Sequence, residues 1–138
     1  MFDWLNFHIL ALVVVAAQFG GMVFFAFMFT PMVFKFLDRE DGAKLLRKIF
    51  PVYYRVMAVA ATLSSLFLII EKIYAVEVVT LLSVAAIFIF AVRKLLPMAN
   101  KAREKSDTKQ FSTVHKTSVV LHLLQFIAVG AVLIRLAK

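Results

Sequence analysis

Four polar residues follow one another along the last apolar stretch of the chain. His115, Ser118, His122 and Gln125 stand at i, i+3, i+7 and i+10, so they share one helix face. Arg55 in the second stretch and His122 lie about 7 and 10 Å from the same end of their stretches. We therefore expect Arg55 to approach the histidines. An arginine beside two histidines can bind an anionic headgroup, a carboxylate or the propionates of haem.

A second set of polar residues lies nearer the other end of the apolar stretches. His8 and Gln18 belong to the first stretch, and Glu77 and Thr80 belong to the third. His8 and Glu77 each lie about 5 to 6 Å from that end, so we expect a charge-assisted hydrogen bond between them. Such a pair would suit a small proton-coupled carrier. The alternative is structural, with interhelical hydrogen bonds of about 0.6 kcal/mol each holding the helices in register.

The histidines raise the question of haem b, because imidazole is an axial ligand of haem iron. The chain has no cysteine, which excludes thiolate ligation and covalent attachment. His115 and His122 lie about 10 Å apart along one helix face, so they cannot both bind one iron. A single axial histidine stays open, with basic groups for the propionates at Arg47, Arg55, Arg93 or Lys94. We expect no other metal site.

The elements that position these residues are apolar helices. The 138 residues are 63% hydrophobic with a mean hydropathy of +0.92, well above the usual range for soluble domains. Four long apolar runs predict an all-α integral membrane four-helix bundle, with antiparallel up-down spans forming one domain over residues 1–138. The predicted spans are about 5–34, 51–70, 73–92 and 115–136, and the predicted connections are 35–50 and 93–114.

The connections have their own sequence signals. Residues 35–50 mix charges with apolar side chains, which predicts an elbow with a short amphipathic helix at the membrane surface. Pro51 is expected in the first turn of the second span, because proline needs no backbone donor there. Residues 93–114 are polar and are expected to be partly helical, with Ser112 or Thr113 capping the last span.

The basic residues predict the orientation of the bundle in the membrane. The two connections and their flanks, from Lys35 to Arg55 and from Arg93 to Lys116, hold thirteen Lys and Arg against three elsewhere. By the positive-inside rule, both connections face the cytoplasm and both termini face outward, in the inner membrane of the cell. The net charge of +8 is explained by this topology, and we expect no nucleic-acid binding.

Two stretches resemble a family of small four-helix membrane proteins, named for transmembrane protein 205 and classed as domain of unknown function 4149. The first is GGMVFFAFMFTPMVFKFLDREDGAKLLRKIFPVYY, and the second is FSTVHKTSVVLHLLQ. The matching positions are Pro31, Phe34, Gly42, Ala43, Phe50, Pro51, Tyr53, Phe111, His115 and Ser118. His122 stands where that family is expected to have asparagine. The resemblance implies four spans and a Phe-Pro elbow, and it implies no reaction.

The function expected from the sequence is non-enzymatic. No nucleophile stands with a base and an orienting group, so we expect no catalytic residues and lean against an enzyme. Four spans leave little room for an alternating-access path, and the apolar outer surface suits lipid or partner helices. We expect an accessory subunit of a larger membrane complex or a self-associating bundle, with haem binding and proton-coupled transport as the alternatives.

Overall fold

The structure is a computed structural model that describes residues 5–72 and 74–138. It contains four long helices: α1 (Phe7–Phe36), α2 (Arg39–Glu71), α3 (Ala75–Glu104) and α4 (Thr108–Ala137). Each is long and apolar enough to cross a membrane, and the described residues form no strand. The predicted all-α four-helix membrane fold is therefore confirmed. Residues 1–4 and Ile73, with which the third span was predicted to begin, lie outside the described part.

The helices are longer than the apolar runs that predicted them. Residues 39–50 do not form a separate amphipathic helix but continue into α2, with Pro51 inside it. A Cβ at Gly42 would come within 3.1 Å of the Phe34 ring, so this glycine lets the end of α1 lie against the start of α2. The buried Leu46 adds to the same contact region. This tertiary packing compensates for the free energy that is lost because Pro51 removes a backbone hydrogen bond.

Carboxylate and amide caps begin three of the helices. Asn6, Asp38 and Asp107 accept hydrogen bonds from the backbone N–H groups three residues later, at 2.9, 2.8 and 3.0 Å. The cap of α4 is thus Asp107 rather than Ser112 or Thr113, because the helix starts before the apolar run does. The α2–α3 turn uses Lys72 in the left-handed conformation, with φ 61°.

Helices α1 and α3 each contain one turn that is wider than a regular α-helix. The backbone is π-helical over Phe25–Phe29 in α1 and over Ala91–Leu95 in α3. Pro31 and Pro97 follow these segments within two residues, and a proline inside a helix removes a backbone hydrogen bond and crowds the preceding turn. The hydroxyl of Thr30 donates to the carbonyl of Phe25 at 2.9 Å. The wide turns rotate the side chains that follow them.

The core is closed by small residues and by two glutamines. Buried small residues of α2, namely Ala58, Ala61, Ser64 and Ser65, let the backbones of neighbouring helices approach. The Gln18 amide of α1 donates to the Met57 carbonyl of α2 at 3.3 Å. The Gln125 amide of α4 donates to the Val84 carbonyl of α3 at 3.0 Å. Each glutamine therefore joins two helices.

Candidate functional site

We call the end of the bundle that carries the two short connections, residues 37–38 and 105–107, the basic end. The other end, with both termini and the Lys72 turn, is the terminal end. A cavity of about 450 Å³ lies in the basic half of the bundle and is lined by all four helices. We call it the basic-end cavity. Its lining is mostly aromatic and aliphatic, and no acidic side chain is among the described residues that line it.

Aromatic rings form the wall of the cavity between α1 and α2. The Phe25 ring stacks on the Tyr53 ring with centroids 4.0 Å apart and planes 9° apart. The Phe50 ring meets Phe25 edge-on, with centroids 5.4 Å apart. Phe25 begins the π-helical turn of α1, so the local widening of the helix positions its ring in this stack. The wall is therefore a consequence of the backbone as well as of the residue types.

The floor of the cavity separates it from the sealed half of the bundle. Phe19 of α1 stacks on Phe126 of α4 with centroids 4.8 Å apart. A Cβ at Gly130 would lie 3.0 Å from the Phe19 ring, so the absence of a side chain there lets the ring pack against α4. Phe27 meets Phe126 edge-on from the cavity side. Beyond this layer, Val15 and Val129 are fully buried.

Two arginines lie at the end of the cavity nearest the connections. Arg47 of α2 and Arg103 of α3 both line it. The Nε atom of Arg47 and an Nη atom of Arg103 are buried and have no hydrogen-bond partner among the described residues. The Arg103 guanidinium lies over the Phe111 ring, 4.8 Å from its centroid. Two cationic groups with unused buried donors beside one cavity can donate hydrogen bonds to an anion.

A tyrosine and a histidine lie deeper in the cavity. The Tyr53 hydroxyl and His122 Nε2 are 3.4 Å apart, while His122 Nδ1 is buried without a partner in the described chain. The rings of Tyr53, Tyr54 and Phe88 surround the imidazole, with their centroids 5.8 to 6.3 Å from its own. The hydroxyl stands where an iron bound to Nε2 would approach. Haem ligation by His122 through that nitrogen would require Tyr53 to move aside.

The polar stripe predicted on the last span faces the cavity for most of its length. His115, Ser118 and His122 all line the cavity, as their shared face predicted. The His115 ring is exposed and lies parallel to the Phe111 ring, with centroids 6.0 Å apart. The Ser118 hydroxyl donates to the Val114 carbonyl of its own helix. Gln125 lies beyond the Phe19–Phe126 layer and donates a hydrogen bond to α3 instead of lining the cavity.

Arg55 does not approach the histidines. It is exposed and lines a different groove, between α2 and α3, together with Arg93. Successive residues turn by about 100° around a helix, and Tyr53 and Tyr54 already occupy the inward face. The position of a residue along a helix does not by itself determine which way its side chain points. Arg47, two turns earlier, takes the place beside the cavity that was expected for Arg55.

The expected pair of His8 and Glu77 does not form. The buried Glu77 carboxylate accepts a hydrogen bond from Nε of Arg135 in α4 at 2.5 Å. His8 lies against the Tyr74 ring, with centroids 5.3 Å apart. Arg135 reaches Glu77 because α4 packs beside α3 at the terminal end, which its position in the sequence does not reveal. Thr80 donates to the Val76 carbonyl of its own helix and is only partly buried.

Arg103 is the site residue that sequence reasoning missed. It stands in the run AREK, which reads as a solvated loop. A signal was nevertheless present, because Leu96, Ala99 and Arg103 follow the i, i+3, i+7 spacing of one helix face. Since α3 continues to Glu104, that face turns its last member toward the cavity. Arg47 was considered only as one of several partners for haem propionates.

Comparison with known proteins gives a family and no function. The family model described as Domain of unknown function (DUF4149) matches residues 13–108. This match includes Arg47 and Arg103 and ends where α4 begins, so His115 and His122 lie outside it. Searches of the curated proteins and of the solved structures found no match. The family match covers well over half of the chain, and the chain therefore belongs to the DUF4149 family of uncharacterised domains.

Proposed function

We propose that this multi-pass membrane protein binds an anionic amphiphile in the basic-end cavity. The carrying observation is the pair of arginines, Arg47 and Arg103, whose buried nitrogens lack partners at one end of an otherwise apolar cavity. A phosphate or carboxylate head would accept hydrogen bonds from both guanidiniums. The apolar part of the same molecule would lie among Phe25, Phe50 and Phe126.

The depth of these groups in the bilayer supports an amphiphile over a small soluble anion. Arg47 lies 24 residues before Glu71, or about 36 Å from the terminal end of α2, beyond the ~30 Å hydrocarbon layer. Tyr53 lies about 27 Å from that end, just within this layer. The ligand head would thus lie at headgroup level while its tail lies in the hydrocarbon region.

The rim of the cavity supports access from the bilayer. Phe27 of α1 is 71% exposed, and Val119 and Leu123 of α4 are each more than half exposed, although all three line the cavity. A molecule already dissolved in the membrane would therefore reach the cavity between α1 and α4 by displacing lipid rather than by crossing a polar surface. The head would remain near the interface during this movement, which avoids the cost of desolvating it.

Binding of this kind is compatible with the subunit role expected from the sequence. The chain would act as a non-enzymatic member of a larger membrane complex, or as a self-associating bundle, that holds the amphiphile. The cytoplasmic orientation of the basic end, the location in the inner membrane and the closer relation to transmembrane protein 205 remain hypotheses. No contact among the described residues adds support for haem binding through His115 or for proton-coupled transport through His8 and Glu77.

Three probes with one tail and different heads test the proposal. The full chain, purified in an uncharged detergent, is mixed with dodecyl phosphate, dodecanol or dodecyltrimethylammonium, and the bound molecules are counted by native mass spectrometry. We expect one dodecyl phosphate per chain and about tenfold weaker retention of dodecanol, since hydrogen bonds to a charged group are lost. Equal retention of the three probes would overturn the proposal.

Variants connect the binding to the cavity. Arg47→Gln with Arg103→Gln should remove one bound dodecyl phosphate per chain. Lys48→Gln is the matched control, because Lys48 is exposed on the same helix and does not line the cavity. Ser118→Phe fills the cavity without changing charge and should reduce retention of both probes. Unchanged retention in the double variant and in Ser118→Phe would show that binding occurs elsewhere.

A further inference from the structure

A second groove lies on the outside of the bundle, between α2 and α3. It encloses about 590 Å³, and its lining is almost entirely apolar apart from Arg55 and Arg93. Ala58 and Thr62 have the smallest side chains in its lining, beside the larger Val59 and Leu66. Tyr54 lines both this groove and the basic-end cavity, so the two are separated by one side chain. The described residues place no acidic group in the groove.

The two arginines lie at the same depth in the bilayer. Arg55 is 16 residues before Glu71, or about 24 Å from the terminal end of α2. Arg93 is 18 residues after Ala75, or about 27 Å from the corresponding end of α3. Both distances are shorter than the ~30 Å hydrocarbon layer, so the two guanidiniums lie just inside its edge.

Arginines at this level need a partner, because a charged side chain facing hydrocarbon is costly. Arg55 and Arg93 are exposed, and neither has an ion pair or side-chain hydrogen bond within the described residues. The groove continues from the arginines toward the middle of the membrane along Thr62 and Leu66. The available partner at this depth is therefore the phosphate of a lipid whose acyl chain follows the groove.

We propose that the groove between α2 and α3 is a specific site for an anionic diacyl phospholipid. Its phosphate is bound by Arg55 and Arg93 together, and one of its acyl chains lies along the groove floor formed by Ala58 and Thr62. The site uses other arginines than the basic-end cavity does, and among the described residues the two linings share only Tyr54. A net negative lipid is favoured over a zwitterionic one, because a headgroup ammonium would meet two like charges.

Lipid competition tests this site on the full purified chain. The protein is titrated with dioleoyl phosphatidylglycerol or dioleoyl phosphatidylcholine in an uncharged detergent, and retained lipid is measured by native mass spectrometry. In the Arg47→Gln, Arg103→Gln background, where the cavity no longer binds an anionic head, we expect one phosphatidylglycerol to be retained. Adding Arg55→Gln with Arg93→Gln should weaken its binding about thirtyfold, as two basic residues near an anionic lipid predict. Inorganic phosphate should not compete. Equal retention of the two lipids would mean that each arginine reaches the interface separately, and would overturn the proposal.

Matched variants separate the loss of lipid binding in the groove from misfolding and from binding in the basic-end cavity. Thr62→Phe fills the groove at constant charge and should also weaken phosphatidylglycerol, whereas Thr117→Phe on an exposed face of α4 should not. Arg39→Gln with Lys48→Gln removes two positive charges at the basic end and should change retention little. If these charge controls weaken the lipid as much as the groove variants do, the attraction is general and the site is disproved. Arg47→Gln with Arg103→Gln should leave this lipid bound.

Discussion

The two halves of the bundle differ in the charge of the buried groups that they leave without a partner. In the terminal half, the Glu77 carboxylate is paired with Arg135, and Gln18 and Gln125 each donate to a carbonyl of a neighbouring helix. The buried atoms without a partner in that half include an amide oxygen, Gln18 Oε1, and an imidazole nitrogen, His8 Nδ1. In the basic half, they include guanidinium nitrogens of Arg47 and Arg103. A buried guanidinium without a partner costs more than an amide does, and an anionic ligand would supply that partner.

The two halves also differ in how closely their helices pack. The terminal half is closed by small residues that let helices approach, such as Ala61 and Ser64. The basic half has two π-helical turns and a set of large rings, including Phe25 and Tyr53, that cannot fill the space between four helices completely. Wide turns and bulky rings therefore leave a cavity in the basic half, whereas small residues and regular helices close the terminal half.

The largest expected effect comes from opening the floor between the halves. Gly130→Leu would push Phe19 away from α4, and overpacking of this kind costs about 3 kcal/mol at the upper end of its range. The free energy of unfolding, measured by denaturing-detergent titration, should fall accordingly. Gly20→Leu is the control, because a Cβ at Gly20 meets nothing within 4 Å. Equal loss in both variants would mean that the floor is not a closed layer.

The next effect concerns the ion pair of the terminal half. Arg135→Gln leaves the Glu77 carboxylate buried without a cation, which should lower the unfolding free energy by about 2 kcal/mol. Adding Glu77→Gln to Arg135→Gln should restore most of the loss, because neither residue is then charged. The same titration measures all three proteins. A double variant as unstable as Arg135→Gln would argue against the pair.

A smaller effect of opposite sign is expected in the basic half. Arg103→Met removes one of the two guanidiniums that line the cavity with a buried, unpartnered nitrogen, and should raise the unfolding free energy by about 1 kcal/mol, as changes at strained functional sites do. It should also weaken binding of dodecyl phosphate. Glu104→Met, at the adjacent exposed position, is the control. Loss of stability on removing Arg103 would contradict the assignment of this half to ligand binding.

The smallest effect separates hydrogen bonds between helices from those within one helix. Gln125→Leu removes the bond to Val84 and should lower the unfolding free energy by about 0.6 kcal/mol. Thr80→Val removes only a bond to the preceding turn of α3, and its effect should be smaller still. Comparable losses in the two variants would show that Gln125 does not join α3 and α4.

Particular residues show how far the sequence could be read. The periodicity of His115, Ser118 and His122 was sufficient to predict their common face, because helix geometry is local. Pro51 was misread as a helix start, because packing at Gly42 and Leu46 extends α2 past it. Arg103 was missed because a polar run next to an apolar helix looks like a loop until the neighbouring helix covers it.

The sequence alone determined that there are four apolar helices, where their charges concentrate and how far along its helix each polar residue lies. These properties follow from composition and from a constant rise per residue along the chain. Only the tertiary structure decided which side chains share a site: Arg47 and Arg103 line one cavity, Arg55 and Arg93 line one groove, and Glu77 pairs with Arg135. Such contacts depend on the rotation and neighbours of each helix, which arise from packing among all four helices together.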